Sequence, residues 1–152
     1  MTADAYDFII VGAGSAGAAL AHRLTENPKW RILLLEAGAA SHWASRFPVS
    51  FGLLIDNPAA NWCYRSEPEE TTANRRIPVP RGKLLGGSSA INGLVFVRGQ
   101  PLDYDTWGQL GNRGWSFQDV LPIFRRMEHY EQGGDDLRAQ GGPLRVSEAT
   151  DE

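Results

Sequence analysis

The feature that most constrains the fold is a glycine-rich turn between an apolar run and a run of helix-forming residues. Residues 8–11 read Phe-Ile-Ile-Val, which is typical of a strand buried on both faces of a parallel sheet. The turn at 12–17 leads into a helix that is predicted to stop near Asn27. A second apolar run follows at 32–35. These elements predict a strand-helix-strand unit over 6–37 and therefore an α/β fold.

The turn reads Gly-Ala-Gly-Ser-Ala-Gly and matches the pattern G-x-G-x-x-G of dinucleotide-binding folds. Gly12 permits the tight turn, Gly14 lets the backbone approach a pyrophosphate, and Gly17 lets the helix lie close to the strand. Ser15 and Ala16 open the helix, where free N–H groups and the helix dipole favour a phosphate. The alternative interpretation is a turn that only joins a strand to a helix.

An acidic residue ends the second apolar run. Glu36, with Ala37 beside it, lies about 20 residues beyond Gly17, where a carboxylate can accept hydrogen bonds from an adenosine ribose. Its negative charge disfavours NADP because it would repel a ribose 2′-phosphate. The motif does not distinguish FAD from NAD.

The chain beyond this unit is predicted to be irregular first and helical later. Prolines interrupt residues 39–80, but the aromatic and apolar content of this loop region favours packing over disorder. Residues 103–130 are predicted to form a helical segment, with a short helix over 103–110 and a second helix from Ser116 to about Tyr130. Apolar residues spaced by three and four give the second helix one buried face: Phe117, Val120, Leu121, Phe124 and Met127. A short strand is predicted at 144–146.

The segment 81–99 carries a second motif of paired glycines, paired serines and an asparagine before an apolar stretch. Glycines let the backbone approach a ligand closely, serine supplies a hydroxyl and an N–H group, and an asparagine amide both donates and accepts. The candidate ligand-binding residues that this chemistry gives are Gly86, Gly87, Ser88 and Asn92.

This segment resembles the first signature of the glucose-methanol-choline (GMC) oxidoreductases, here over residues 81–105. The resemblance extends to Leu-Glu-Ala-Gly at 35–38, to Asn61-Trp62 and to Gly-Trp-Ser at 114–116, and so covers nearly the whole chain. It implies a Rossmann-like FAD-binding fold of the GMC or glucose-oxidase type, incomplete in this chain. Residues 1–152 would form the N-terminal part of the FAD-binding domain.

The resemblance also implies where the cofactor lies. It places the signature segment, which begins at Arg81, along the FAD pyrophosphate and flavin ring. The backbone of Asn92, Gly93, Leu94 and Val95 would lie beside the isoalloxazine. The loop of Trp62 lies near the cofactor in the family, and a structural role and a cofactor contact are both compatible with this residue. Some members attach FAD covalently through a histidine just before the motif asparagine. This sequence has Ile91 there, so FAD is expected to be bound non-covalently.

GMC enzymes oxidise alcohols by passing a hydride to flavin N5 while a histidine takes the hydroxyl proton. The resemblance therefore implies an FAD-dependent oxidoreductase that acts on the CH–OH group of a small alcohol, similar to choline dehydrogenase. The family's histidine belongs to a C-terminal region that no segment here resembles. We therefore expect no catalytic residue in this chain, and we expect the remaining C-terminal part of the same enzyme as its partner.

Three alternatives remain open at the level of sequence. One is a truncated, noncatalytic FAD-binding module. The others are an NAD-binding Rossmann protein, which the 81–99 motif disfavours, and a flavin-dependent lyase of the same family. The alcohol substrate and the electron acceptor are not determined by these residues.

Composition excludes other classes of function. The chain has 15 basic and 18 acidic residues and a net charge of -3, which gives no electrostatic footprint for nucleic acid. No apolar run approaches the roughly 20 residues that span a bilayer, and the N-terminus does not resemble a secretory signal. The single cysteine, Cys63, cannot form a disulfide framework or a cysteine-rich metal site. No metal site and a reducing, cytoplasmic setting are therefore expected.

Overall fold

The computed structural model describes residues 5–148 of the chain. The parts of the predicted domain at 1–4 and 149–152 lie outside the described residues. The chain forms two compact units, Met1–Val95 and Phe96–Glu152. Each unit contains its own strands, helices and buried residues.

The first unit begins with the strand-helix-strand arrangement that the sequence predicts. Strand β1 covers Phe8–Val11, helix α1 covers Ser15–Leu24 and strand β2 covers Ile32–Leu35. The strands pair in parallel, with Phe8 opposite Ile32 and Val11 opposite Leu35. Helix α1 ends three residues before the predicted end, and the next residues form tighter turns, in which the N–H groups of Glu26 and Asn27 donate to the carbonyl oxygens three residues earlier.

The prediction that β1 is buried on both faces is wrong for the part of the chain that the structure describes. Ile10 is buried, but Ile9 is 60% exposed and Val11 is 83% exposed. Among residues 5–148, only β1 and β2 belong to this sheet. Strand β1 therefore carries more apolar side chains than the described residues bury.

Residues 39–80 form short elements, as expected for a packed loop region. Helix α2 covers Phe51–Leu54, and the two-residue strands β3 (Tyr64–Arg65) and β4 (Pro78–Val79) pair antiparallel. Turns of 3₁₀ helix lie at Trp43–Arg46, Pro48–Ser50 and Glu70–Thr72, and a further one lies at Gly87–Ala90. The loop region packs on the signature segment through a small buried cluster: Ala44, Leu54, Ala60, Leu84 and Ile91. Its large side chains Trp43 and Leu53 remain mostly exposed.

The second unit contains helix α3 (Pro101–Gln109), helix α4 (Phe117–Met127) and the parallel strands β5 (Glu128–Tyr130) and β6 (Leu144–Val146). The capping box predicted at the start of α4 is present, since Asp119 accepts from the Ser116 N–H at 3.1 Å. The apolar face of α4 is also as predicted, with Val120 buried at its centre.

Helix α4 stops at Met127, before the predicted end near Tyr130, because the next three residues pair with β6. The first of them, Glu128, is completely buried and forms ion pairs with Arg98 and Arg138. Arg138 Nε lies 2.8 Å from Glu128 Oε1 without the orientation of a hydrogen bond. A buried carboxylate between two arginines fixes this strand in a way that helical periodicity cannot reveal.

Candidate functional site

The two glycine-bearing stretches of the sequence meet in the first unit. The Gly86 N–H donates to the Ala13 carbonyl oxygen at 2.8 Å, and Gly14 pairs with Gly86 as an isolated parallel bridge. A Cβ atom on Gly87 would lie 2.8 Å from Gly14 Cα, closer than real side chains come. The signature segment therefore lies directly against the glycine turn, and only glycine allows this approach.

The glycine turn has the local geometry that the sequence predicts. Gly12 has a φ of +95°, in the left-handed region that favours glycine. Its N–H donates to the Leu35 carbonyl oxygen at 2.8 Å, which ties the turn to the end of β2. A Cβ on Gly17 would lie 1.9 Å from the Gly12 carbonyl oxygen, so glycine at this position lets α1 lie close to the turn.

The start of α1 offers donors to an anion. Gly14 occupies the N-cap position without a side-chain cap, and the first turn contains no acidic residue. The first N–H groups of a helix have no intrahelical acceptor, and Ala18 is the first residue of this segment to bond back, to Gly14. The N–H groups of Ser15, Ala16 and Gly17 are thus placed where a phosphate would satisfy them.

Glu36 has a structural contact that sequence reasoning missed. Its carboxylate accepts from the Ala13 N–H and from the Gly38 N–H, each at 2.9 Å. These backbone hydrogen bonds, that of Ala13 foremost, hold the pKa of the Glu36 carboxyl below its usual value. The ionised carboxylate therefore fastens the glycine turn to β2, and its further lone pairs can still accept hydrogen bonds from a ribose.

These elements enclose a cavity of about 600 Å³ at the carboxyl ends of β1 and β2. Eight of the predicted site residues line it: Gly12, Gly14, Glu36, Ala37, Trp62, Arg81, Gly87 and Ser88. The sequence analysis missed four others, namely Val11, Leu35, Tyr64 and Gly82. Tyr64 could have been found from its position two residues after Trp62. A cleft of this volume at this edge of a parallel pair is the usual ligand position in α/β folds.

A second cavity of about 800 Å³ lies along β1 and α1. Ser15, Ala16 and Gly17 line it, and Gly12, Gly14 and Ser88 line both cavities. The turn and Ser88 therefore stand between an apolar groove beside β1 and the cavity that contains Glu36. All predicted residues of the first motif line one of these two cavities.

One wall of the first cavity is aromatic and carries positive charge nearby. The rings of Trp62 and Tyr64 are stacked, with centroids 5.8 Å apart and an interplanar angle of 7°. Lys83 Nζ lies 4.7 Å from the centre of the Trp62 ring. Arg81 donates from Nη1 to the Pro80 carbonyl oxygen at 2.7 Å. The wall combines a flat apolar surface with cations, which suits a ligand that has a ring and a phosphate.

The other predicted residues of the signature segment do not line either cavity. Gly86 contributes through its backbone contact with Ala13. Asn92 and Leu94 instead border a separate space of about 30 Å³. Leu94 has a φ of +59°, and its N–H donates to the Asn92 side-chain oxygen at 3.1 Å. Among the described residues no atom lies within 4 Å of a Cβ placed on Gly93, and Val95 is 79% exposed.

Within 5–148, no group of three or more His, Cys, Asp and Glu side chains could hold a metal ion. Over the same residues, no helix is both long and apolar enough to cross a membrane.

The glycine turn, the carboxylate at the end of β2 and the cleft between them define a dinucleotide-binding protein of the Rossmann type. Residues 6–152 match the family model described as GMC oxidoreductase. The chain belongs to the GMC oxidoreductase family. It is 49% identical over 150 residues to the oxygen-dependent choline dehydrogenase of Sinorhizobium fredii, covering 92% of this chain and 26% of that protein. The chain thus spans about a quarter of the length of the curated relatives that it matches.

Solved structures agree with this assignment. The pyridoxine 4-oxidase from Mesorbium loti is similar with a TM-score of 0.86 and 38% identity, over 93% of this chain and 28% of that one. An FAD-dependent oxidoreductase from Chaetomium thermophilum is similar with a TM-score of 0.74 and 34% identity, over 94% of this chain and 26% of that one. The family and these neighbours are FAD flavoproteins, which confirms the expected Rossmann-like FAD-binding fold and cofactor class.

Proposed function

We propose that this chain supplies the part of an FAD site that holds the adenosine and pyrophosphate groups, in an enzyme that oxidises small alcohols. The observation that carries the proposal is the contact between the glycine turn at 12–17 and the signature segment at Gly86 and Gly87. The contact lies between two adjoining cavities: Ser15, Ala16 and Gly17 at the start of α1 line one, and the Glu36 carboxylate lines the other. Gly12, Gly14 and Ser88 border both, so a ligand that crosses the turn could meet the helix N–H donors and Glu36.

The residues present fit an FAD molecule. The N–H groups of Ser15, Ala16 and Gly17 would bind the pyrophosphate, and Glu36 would bind the ribose through lone pairs that its backbone contacts leave unused. Trp62 adds an aromatic surface to the wall of the cleft. When bound, FAD supplies an isoalloxazine ring that accepts a hydride from the CH–OH carbon of the alcohol.

We propose that FAD is held without a covalent bond. Ile91, which stands where some relatives carry the attachment histidine, has a side chain with no nucleophilic atom. It is also 4% exposed and packs in the buried cluster with Leu54 and Leu84. The backbone of 92–95 stays our prediction for the segment beside the isoalloxazine. The left-handed Leu94 supports it, since strained backbone tends to occur at functional sites.

We propose that the catalytic base and the substrate pocket come from the remaining part of the same enzyme. Among residues 5–148, none of the three histidines lines either cavity. The exposed side chains of Ile9 and Val11 give β1 an apolar surface that further polypeptide would cover. The S. fredii relative extends far beyond the 26% of its length that this chain covers, which supports this partner.

The test is made on the full chain and on a hybrid in which the chain is joined to the roughly three-quarters of the S. fredii relative that it does not match. We expect both to bind FAD that acid precipitation releases, and we expect ADP to compete with FAD better than FMN does. Anaerobic addition of an alcohol, with choline and pyridoxine tried first, should bleach the flavin absorbance of the hybrid.

Three results would contradict parts of this proposal. Absence of FAD from both proteins would refute the cofactor assignment, and extraction of NAD would favour the alternative of an NAD-binding Rossmann protein. Retention of FAD by the hybrid without bleaching by any alcohol would favour a noncatalytic flavin module. Release of an aldehyde by cleavage, with no net reduction, would indicate a lyase.

A further inference from the structure

We propose that Asn61 is a positioning residue that sets the aromatic and cationic wall of the cofactor cleft without touching the cofactor. The inference rests on the function proposed above. Asn61 is 2% exposed and does not line the cavity. It lies next to Trp62, which does line it, and it faces the start of the signature segment through an isolated antiparallel bridge with Gly82.

The Asn61 side chain joins three stretches of chain. Its Oδ1 atom accepts from the Cys63 N–H at 3.0 Å and from the Arg81 N–H at 2.9 Å, while its amide nitrogen donates to the Ile55 carbonyl oxygen. One buried amide therefore satisfies two donors and one acceptor of the backbone. A buried backbone group without a partner costs free energy comparable to a lost hydrogen bond. The hydrogen bonds to Asn61 therefore hold these three backbone groups in their positions.

The two accepted hydrogen bonds act on the cleft wall. Cys63 has a φ of +54°, a conformation that a residue with a side chain rarely adopts. The bond from its N–H to Asn61 stabilises this turn, which places Trp62 and Tyr64 on the same side, with their rings stacked. The bond from the Arg81 N–H, together with that from the Trp62 N–H to the Arg81 carbonyl oxygen at 2.9 Å, fixes the facing segment at Arg81.

The donated hydrogen bond has a different role. Ile55 follows helix α2 and lies outside the cavity lining. Loss of this bond should lower the stability of the loop region but leave the wall in place. Some substitutions of Asn61 should therefore lower stability without lowering FAD affinity, and others should lower both. An asparagine with a purely structural role would not show this difference.

Two variants of similar size separate these roles. Asn61→Asp keeps both acceptor bonds and loses the donor, whereas Asn61→Leu fills the space and loses all three bonds. A matched control is Ser50→Ala, which removes a different buried polar group of the loop region, a hydroxyl that donates to the carbonyl oxygens of Ala44 and Phe47. This control weakens the same packing without reaching the cleft wall.

The measurement is urea unfolding of the full chain at several FAD concentrations, because the shift of the midpoint reports affinity even for a weakened variant. We expect Asn61→Leu to bind FAD about tenfold more weakly or worse, a loss typical of unsatisfied buried groups. Asn61→Asp and Ser50→Ala should lose stability but stay within about threefold of the unaltered affinity. Circular dichroism without FAD reports the fold.

The outcomes distinguish this inference from the proposed function. If neither the unaltered chain nor the hybrid binds FAD, the proposed function and the inference both fail. If only the hybrid binds FAD, the same variants are compared in the hybrid. Where FAD binds and Asn61→Leu loses no more affinity than Ser50→Ala, the inference alone is overturned. Equal loss by Asn61→Asp and Asn61→Leu would overturn it as well. So would an Asn61→Leu chain that stays unfolded at saturating FAD, because Asn61 would then act on stability alone.

Discussion

Replacing Gly17 with alanine tests whether helix α1 must lie against the glycine turn at the observed distance. The new Cβ would lie 1.9 Å from the Gly12 carbonyl oxygen and 3.3 Å from Ile10 Cγ2. Real Cβ atoms essentially never approach other atoms closer than 3.0 Å. The backbone of α1 and the turn must therefore separate by more than about 1 Å, since the obstructing atom is a carbonyl oxygen and cannot rotate away.

The magnitude follows from two opposing effects. Alanine is favoured over glycine within a helix by about 1 kcal/mol. Overpacking typically costs about 1–3 kcal/mol, and the upper value applies where the neighbour is backbone. The free energy of unfolding should therefore fall by about 2 kcal/mol for Gly17→Ala. FAD affinity should fall as well, because the displaced turn carries the N–H donors for the pyrophosphate.

The assay is urea unfolding of the full chain, followed by FAD titration. Gly52→Ala is the matched control, because Gly52 lies in helix α2 and, among the described residues, no atom lies within 4 Å of a Cβ placed on it. This control should be neutral or up to about 1 kcal/mol more stable. A Gly17→Ala chain that is as stable as the unaltered chain would refute the close-packing argument.

Further predictions concern both units. The pKa of Glu36 is lower in the folded chain than its ordinary value of 4.5. Its contribution to stability is therefore present above that ordinary value and is lost as the pH falls through the folded pKa. Glu36→Gln should make the free energy of unfolding depend less on acid pH and should weaken FAD binding. Gly87 has a φ of +56°, and the Cβ of Gly87→Ala would lie 2.8 Å from Gly14. This variant should weaken FAD binding more than Gly133→Ala, since Gly133 also has a positive φ but has no atom within 4 Å of an added Cβ among residues 5–148. Equal losses of affinity in FAD titrations would contradict the contact between Gly87 and Gly14. Glu128→Gln leaves Arg98 and Arg138, whose side chains are 12% and 26% exposed, without a counter-ion and should lower the free energy of unfolding by about 3 kcal/mol, measured by denaturant.

The sequence by itself determined the features that depend on neighbouring residues. The strand-helix-strand unit and the left-handed turn at Gly12 follow from short-range rules on apolar runs and glycine. The start of α4 at Ser116 follows from its capping box. The 81–105 signature, which is long and specific, was enough to indicate the GMC family that residues 6–152 match.

Only the tertiary structure decided which distant residues meet. The contact of Gly86 with the glycine turn, the use of Glu36 by two backbone N–H groups, and the three bonds of Asn61 join positions far apart in the chain. The strand that replaces the last predicted turn of α4 depends in the same way on β6 and on the buried Glu128. Local propensity carries no information about such pairs, because their free energy arises from burial and hydrogen bonds that form after the chain has folded.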